Sequence, residues 1–193
     1  MSMDWLAKLR QRPGKAIYDA TARLGFSGAV MYQYQFSCDS PTSVSTVPPA
    51  ISLSVTTVSQ FDGSLGFEHV ESELTPDDTV VVARDGSTIV GTVVLSTTRA
   101  VFVDVLDSTV ANDPSTAYLW ALFVEPTHRG RGIGRALVQR SLDVACDRDM
   151  DSVLVLVAID NGPSRGLFDG LGPTESTLIV YGRCGRFARQ LHL

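Results

Sequence analysis

The chain has 193 residues, 44% of them hydrophobic and 19% charged, with a net charge of −5. That is enough for one domain with a proper core and too apolar for wholesale disorder. The acidic balance argues against general nucleic-acid binding, which draws its affinity from neutralised phosphates. No run of about 18 apolar residues and no basic-then-apolar leader stands in the sequence, so no membrane association and a cytoplasmic location are expected.

Residues 4–25 mix Trp5, Leu6, Leu9, Ile17 and Leu24 with basic residues at helical spacing, broken by Pro13-Gly14, and predict two short helices. An apolar and aromatic stretch, Phe26 to Phe36, and a loop rich in Ser, Thr and Pro follow. Residues 1–48 are therefore read as an N-terminal helical extension and loop, and residues 49–193 as the main domain. Ile51 to Val55 alternates with period two, and Thr79 to Arg84 and Thr88 to Ser96 are β-branched runs joined by Asp85-Gly86, predicting a strand and then a hairpin. The segment 61–78, with its acidic stretch Glu68 to Glu73, is a candidate loop on the acceptor side.

After a connector over 101–116, Ala117 to Val124 is apolar enough for a central strand. Gly134 to Met150 carries Leu137, Val138, Leu142, Val144 and Ala145 in helical rhythm, and Ser152 to Ile159 predicts a second buried strand, completing a βαβ unit. A short helix over 163–171, a strand over 177–181 and an edge strand over 187–193 close the chain. Cys38, Cys146 and Cys184 are odd in number and contain no CxxC pair, so reduced thiols are expected, with neither a zinc site nor a disulfide framework.

Between the central strand and the helix lies Arg129-Gly130-Arg131-Gly132-Ile133-Gly134-Arg135. Closely spaced glycines let the backbone approach an anion, and the helix start offers unpaired N–H groups and a positive dipole end. A diphosphate suits such a turn, with Arg129, Arg131 and Arg135 adding charge. A Walker loop needs Gly-Lys followed by Ser or Thr, and a dinucleotide fingerprint starting at Gly130 needs glycine where Arg135 stands; neither template fits.

The order strand, Glu125-Pro126, Arg129-x-x-Gly132-x-Gly134, helix resembles the signature Arg/Gln-x-x-Gly-x-Gly/Ala of the GNAT superfamily of acyl-CoA-dependent N-acyltransferases. Asn161-x-x-Ser164-x-x-Leu167-Phe168-x-x-x-Gly172 is similar to that family's downstream pattern Asn-x-x-Ala-x-x-Leu-Tyr-x-x-x-Gly-Phe. The resemblance covers about 115 residues, from the hairpin to the end. It implies an α/β fold of the α+β type, a mixed central sheet flanked by helices, carrying the N-terminal helical extension.

It also implies acetyl-CoA as cosubstrate and a primary amine as acceptor; no metal is expected from the cysteine pattern, and the C-terminal strand suggests a possible homodimer. The central strand and the strand after the helix would splay apart at a bulge, where Leu122, Phe123 and Val124 would meet the pantetheine arm; the Val124 N–H would face the oxyanion, and Asn161 and Phe168 would complete the cofactor site with residues 129–135. Two departures stand out. Phe168 occupies the place of the usual tyrosine acid and has no proton to give, and Tyr118 occupies the place of the usual glutamate base. Substitutes are sought in Glu68, His69, Glu71 and Glu73, with Glu71 taken as base, and in Tyr181 as acid; His128 is read as a loop or cofactor-contact residue. The alternatives are a non-catalytic acyl-CoA-binding or interaction module and, further off, a nucleotide-binding module.

Overall fold

The computed structural model describes residues 26–39, 47–65, 73–97, 101–103, 108–110, 113–184 and 187–192. The two helices expected over residues 4–25, and Glu68, His69 and Glu71, lie outside them. Within them the β-branched runs form the strands β1 (Phe26–Ser37), β2 (Ile51–Thr57), β3 (Thr79–Asp85), β4 (Thr88–Ser96), β5 (Val101–Val103), β6 (Ser108–Val110), β7 (Thr116–Val124), β8 (Ser152–Ala158), β9 (Glu175–Cys184) and β10 (Phe187–His192). Two helices, α1 (Ile133–Cys146) and α2 (Gly162–Asp169), interrupt them. Eight strands form one sheet in the order β10-β9-β1-β8-β7-β4-β3-β2. Only β7 and β8 run parallel, as a strand–helix–strand crossover requires. β5 and β6 form a separate two-stranded ribbon where the sequence suggested only a connector.

α1 turns Ile133, Leu137, Val138, Leu142 and Ala145 inward, a spacing of three and four that makes one apolar face. That face packs on Val81, Ala83, Val93 and Leu95 of β3 and β4 and on Leu119 and Val155 of the central pair, all nearly inaccessible to water. A second cluster, Tyr118, Leu154 and Ile179, lies apart from it, with Trp120 and Leu156 at its margin.

The boundary drawn at residue 48 does not divide the molecule. β1, which the sequence placed in the extension, sits inside the sheet, pairing with β8 from Met31↔Ala158 to Ser37↔Ser152 and with β9 from Phe26↔Cys184 to Gln35↔Glu175. Both partners lie more than a hundred residues downstream, and a non-local pairing of this kind leaves no periodic mark on the local sequence. Burial of Tyr34 (0% exposed) and Phe36 (7%) within the main core shows that β1 belongs to it.

The cysteines correct a second expectation. Cys38, just beyond β1, is disulfide-bonded to Cys146 at the end of α1, closing a sequence separation of 108 residues. Spacing arithmetic looks for near pairs, and this one is made by the fold.

Candidate active site

β7 changes character halfway along. Thr92 pairs with Phe123 and Val94 with Trp120, so three steps on β7 face two on β4, the count of a β-bulge. Ala121 absorbs the extra residue at φ 51°, a left-handed conformation uncommon for a residue with a Cβ. The bulge also changes which way side chains face. Simple alternation puts Ala121 with Leu119, yet Ala121 packs beside Trp120 while Leu122 and Val124 return to the side of Leu119 and α1. Tyr118 and Trp120 share a face, their rings stacked 6.5 Å apart, and Trp120 Nε1 donates to Ser96 Oγ at 3.0 Å.

Parallel pairing with β8 ends at Leu119↔Val155, although β7 continues to Val124 and β8 to Ala158. The two strands part there, and a cleft of about 210 Å³ opens between them, lined by Ala121, Leu122, Leu156, Ala158 and, from α2, Asn161, Ser164 and Phe168. Glu125 N–H donates to Val90 O at 2.9 Å across to β4. Successive peptide groups on a strand face opposite sides, so the Val124 N–H is directed away from β4 and into the gap. The Val124 carbonyl, on that same side, accepts Arg129 Nε at 2.9 Å.

The glycine turn follows directly. Gly130 and Gly132 take φ of 73° and 82°, and Gly132 forms the N-cap of α1. The first helical bond runs from Ala136 N–H to Gly132 O at 3.0 Å, so the N–H groups of Ile133, Gly134 and Arg135 precede it and have no intrahelical acceptor. The first turn contains no acidic residue and no side-chain cap, which leaves the positive end of the helix dipole uncompensated. Ile133 contributes only backbone, because its side chain is 1% exposed in the core.

The arginines divide in role. Arg129 is tied to Val124, and Arg135 donates to Gly170 O at 3.0 Å, bracing α1 against the end of α2. Arg131 is exposed. His128 lies 3.6 Å from Asp85 and shares a 3.0 Å hydrogen bond with Thr127, which anchors the turn to the β3–β4 hairpin.

α2 covers the open end. Asn161 caps it, its Oδ1 accepting from Ser164 N–H at 3.3 Å, so Asn161 is at once a turn former and a cleft residue. Phe168, 3% exposed, stacks on Tyr34 at 5.7 Å. Arg165 holds the same interface, its guanidinium 4.6 Å over the Tyr32 ring and its Nη1 donating to Ile159 O at 3.0 Å. β1 is thus the floor on which α2 rests. Burial pushes the Tyr118 hydroxyl well above its ordinary range, and the charge of Glu73 adds to the shift. Of the acidic stretch, Glu73 is the member within the described residues; Tyr181 stands in β9 opposite Ala29, and its side chain lies outside them.

The Acetyltransferase (GNAT) family profile matches residues 53–172. The chain belongs to the GNAT acetyltransferase family. Its relatives include L-2,4-diaminobutyric acid acetyltransferase of Shouchella clausii, 29% identical over 115 residues, covering 60% of this chain and 57% of that protein. Mycothiol acetyltransferase of Beutenbergia cavernae is 40% identical over 62 residues, covering 32% of this chain and 21% of that one. Among solved structures, a tandem GNAT protein from the clavulanic acid biosynthesis pathway superposes with a TM-score of 0.58 at 17% identity, over 92% of this chain and 60% of its own. The GNAT chain thus spans less than two thirds of the length of each.

Sequence reasoning found the glycine turn of this GNAT protein and the strands beside it, and the resemblance put a bulge beside Leu122 to Val124. It did not find that Ala121 takes the extra residue, for which the residue type gives no signal, or the support given to α2 by Tyr32 and Tyr34. It passed over Ser164, although that serine stands where the family pattern has alanine.

Proposed function

We propose that this GNAT chain transfers an acetyl group from acetyl-CoA to a primary amine by direct attack, without a covalent enzyme intermediate. The observation that carries the reading is the set of N–H groups with no backbone acceptor among the described residues: Val124, at the mouth of the parted strands, and Ile133, Gly134 and Arg135 at the start of α1. The N–H groups of the glycine turn, with Arg131, take the diphosphate. The backbone of Leu122, Phe123 and Val124 and the side-chain amide of Asn161 hold the pantetheine arm in the cleft, with Phe168 as its apolar wall. The Val124 N–H meets the oxygen on which charge develops as the amine attacks, a fixed dipole that needs no reorganisation at the moment of reaction.

The acidic segment supplies the base. Glu73, whose charge is felt by Tyr118, or Glu71 two positions before it in the sequence, draws a proton from an ammonium acceptor through water. The acceptor class follows from the diaminobutyrate relative: a small primary amine bearing a carboxylate. Thiol release from acetyl-CoA, followed with L-2,4-diaminobutyric acid and a panel of primary amines, tests the reading. Turnover with at least one amine supports it. Tight acetyl-CoA binding with no turnover across the panel favours a non-catalytic acyl-CoA-binding module instead, the reading that Phe168 and Tyr118 motivate.

A further inference from the structure

Phe168 leaves the cleft without a proton donor at the position where the family pattern has tyrosine, and the lining offers one replacement. Ser164 carries the only hydroxyl among the described residues that line the cleft. Of the other side-chain polar groups there, Trp120 Nε1 donates to Ser96 Oγ at 3.0 Å, and Asn161, whose Oδ1 accepts from the Ser164 backbone at 3.3 Å, has its amide N–H assigned above to the pantetheine arm. That capping bond fixes the Ser164 backbone while its Oγ makes no protein hydrogen bond among the described residues. Ser164 and Phe168 are four residues apart on α2, so their side chains share one helix face, and both face the cleft.

We infer that the Ser164 hydroxyl donates a hydrogen bond to the thioester sulfur as it leaves, which makes it a catalytic residue of the acetyl transfer; the inference rests on the acetyl-CoA reading above. The amine nitrogen forms the new C–N bond and the carbonyl π pair moves to oxygen. As that pair returns, the C–S bond breaks and sulfur departs with its electrons. The ammonium loses one proton to the acidic segment before attack, the nitrogen loses a second to solvent once the C–N bond has formed, and sulfur takes one from solvent to become the free thiol. Ser164 keeps its own proton throughout: a serine hydroxyl is too weak an acid to surrender it, and stabilises the thiolate by donation alone. A hydrogen bond to the charged form lowers the pKa of the group that receives it.

The test needs no acceptor. Free CoA is bound to the native protein, to Ser164→Ala and to Ser164→Thr, and its thiolate is titrated by ultraviolet absorbance. The native protein and Ser164→Thr are expected to titrate the bound thiol about one pH unit below Ser164→Ala. Desulfo-CoA is expected to bind all three within about threefold, since the hydroxyl acts on sulfur alone. Coincident titrations of native and Ser164→Ala protein, with CoA bound to both, overturn the role of Ser164 and leave the acetyl-CoA reading standing. Failure of the native protein to bind CoA overturns both.

Discussion

At the end of the cleft assigned to the diphosphate the donors named come from one short stretch, Arg131 to Arg135, whereas the end assigned to the acyl group is assembled from β1, β7, β8 and α2, drawn from across the chain. The first end is a local device: glycines at positive φ, an uncapped helix start and nearby arginines are all written within a dozen positions. The second depends on packing, with Tyr34 of β1 under Phe168 of α2 and a bulge at Ala121 that parts two strands. Substitutions should therefore weaken the first end without unfolding the protein, and should damage the second end together with stability.

The largest separation of the two is expected from Phe168→Ala. Removing this buried ring takes away the contact with Tyr34 and the wall of the cleft, and should destabilise the protein by about 3–5 kcal/mol in urea unfolding. An effect below about 1 kcal/mol would mean that α2 is not seated on β1. The disulfide joins the two regions, Cys38 beyond β1 to Cys146 at the far end of α1. Reduction, or Cys38→Ser with Cys146→Ser, is expected to cost about 2–4 kcal/mol of stability through the long loop it releases. Acetyl-CoA affinity should change little, because α1 spans about 21 Å between that bond and the glycine turn. Calorimetric unfolding and binding on the same samples check both halves.

Within the turn, Gly132→Ala should cost about 1–2 kcal/mol, since φ is 82° although no neighbour lies within 4 Å of an added Cβ. Gly134→Ala should be nearly neutral in stability and binding, because its Cβ would meet Leu167 and Val124 at 3.5 and 3.7 Å, ordinary contact distances. Equal losses for the two would show that bulk, not conformation, selects glycine here. The smallest effect concerns Tyr34, whose hydroxyl is pushed up to about 12, first by burial and then by Asp169. The folded state holds this proton more tightly than the unfolded chain, whose value is 10.0, so its contribution is fully present below pH 10 and is lost as pH rises through 12. Tyr34→Phe should flatten the fall in stability between pH 10 and 12, read by urea midpoints.

The same contrast explains what the sequence disclosed. Arg129 to Gly134 and the β7–α1–β8 unit are legible because a helix, a tight turn and two apolar strands each mark their own residues. The hairpin of β3 and β4 is legible from Asp85-Gly86 in the same way. The place of β1 is not, because its pairing with β8 and β9 belongs to partners far along the chain, and neither is the Cys38–Cys146 bond. The face occupied by Ala121 misleads for a third reason: alternation holds until a bulge intervenes, and alanine does not announce one.

The most direct measurement is calorimetric titration of the native protein with acetyl-CoA beside the variant carrying Gly132→Glu and Gly134→Glu. Each glutamate places a negative charge at the unpaired N–H groups where the diphosphate is assigned. The account predicts saturable binding to the native protein, at least a hundredfold weaker in the variant, with the variant's circular dichroism unchanged. Undiminished binding to a folded variant, or none to the native protein, would contradict it.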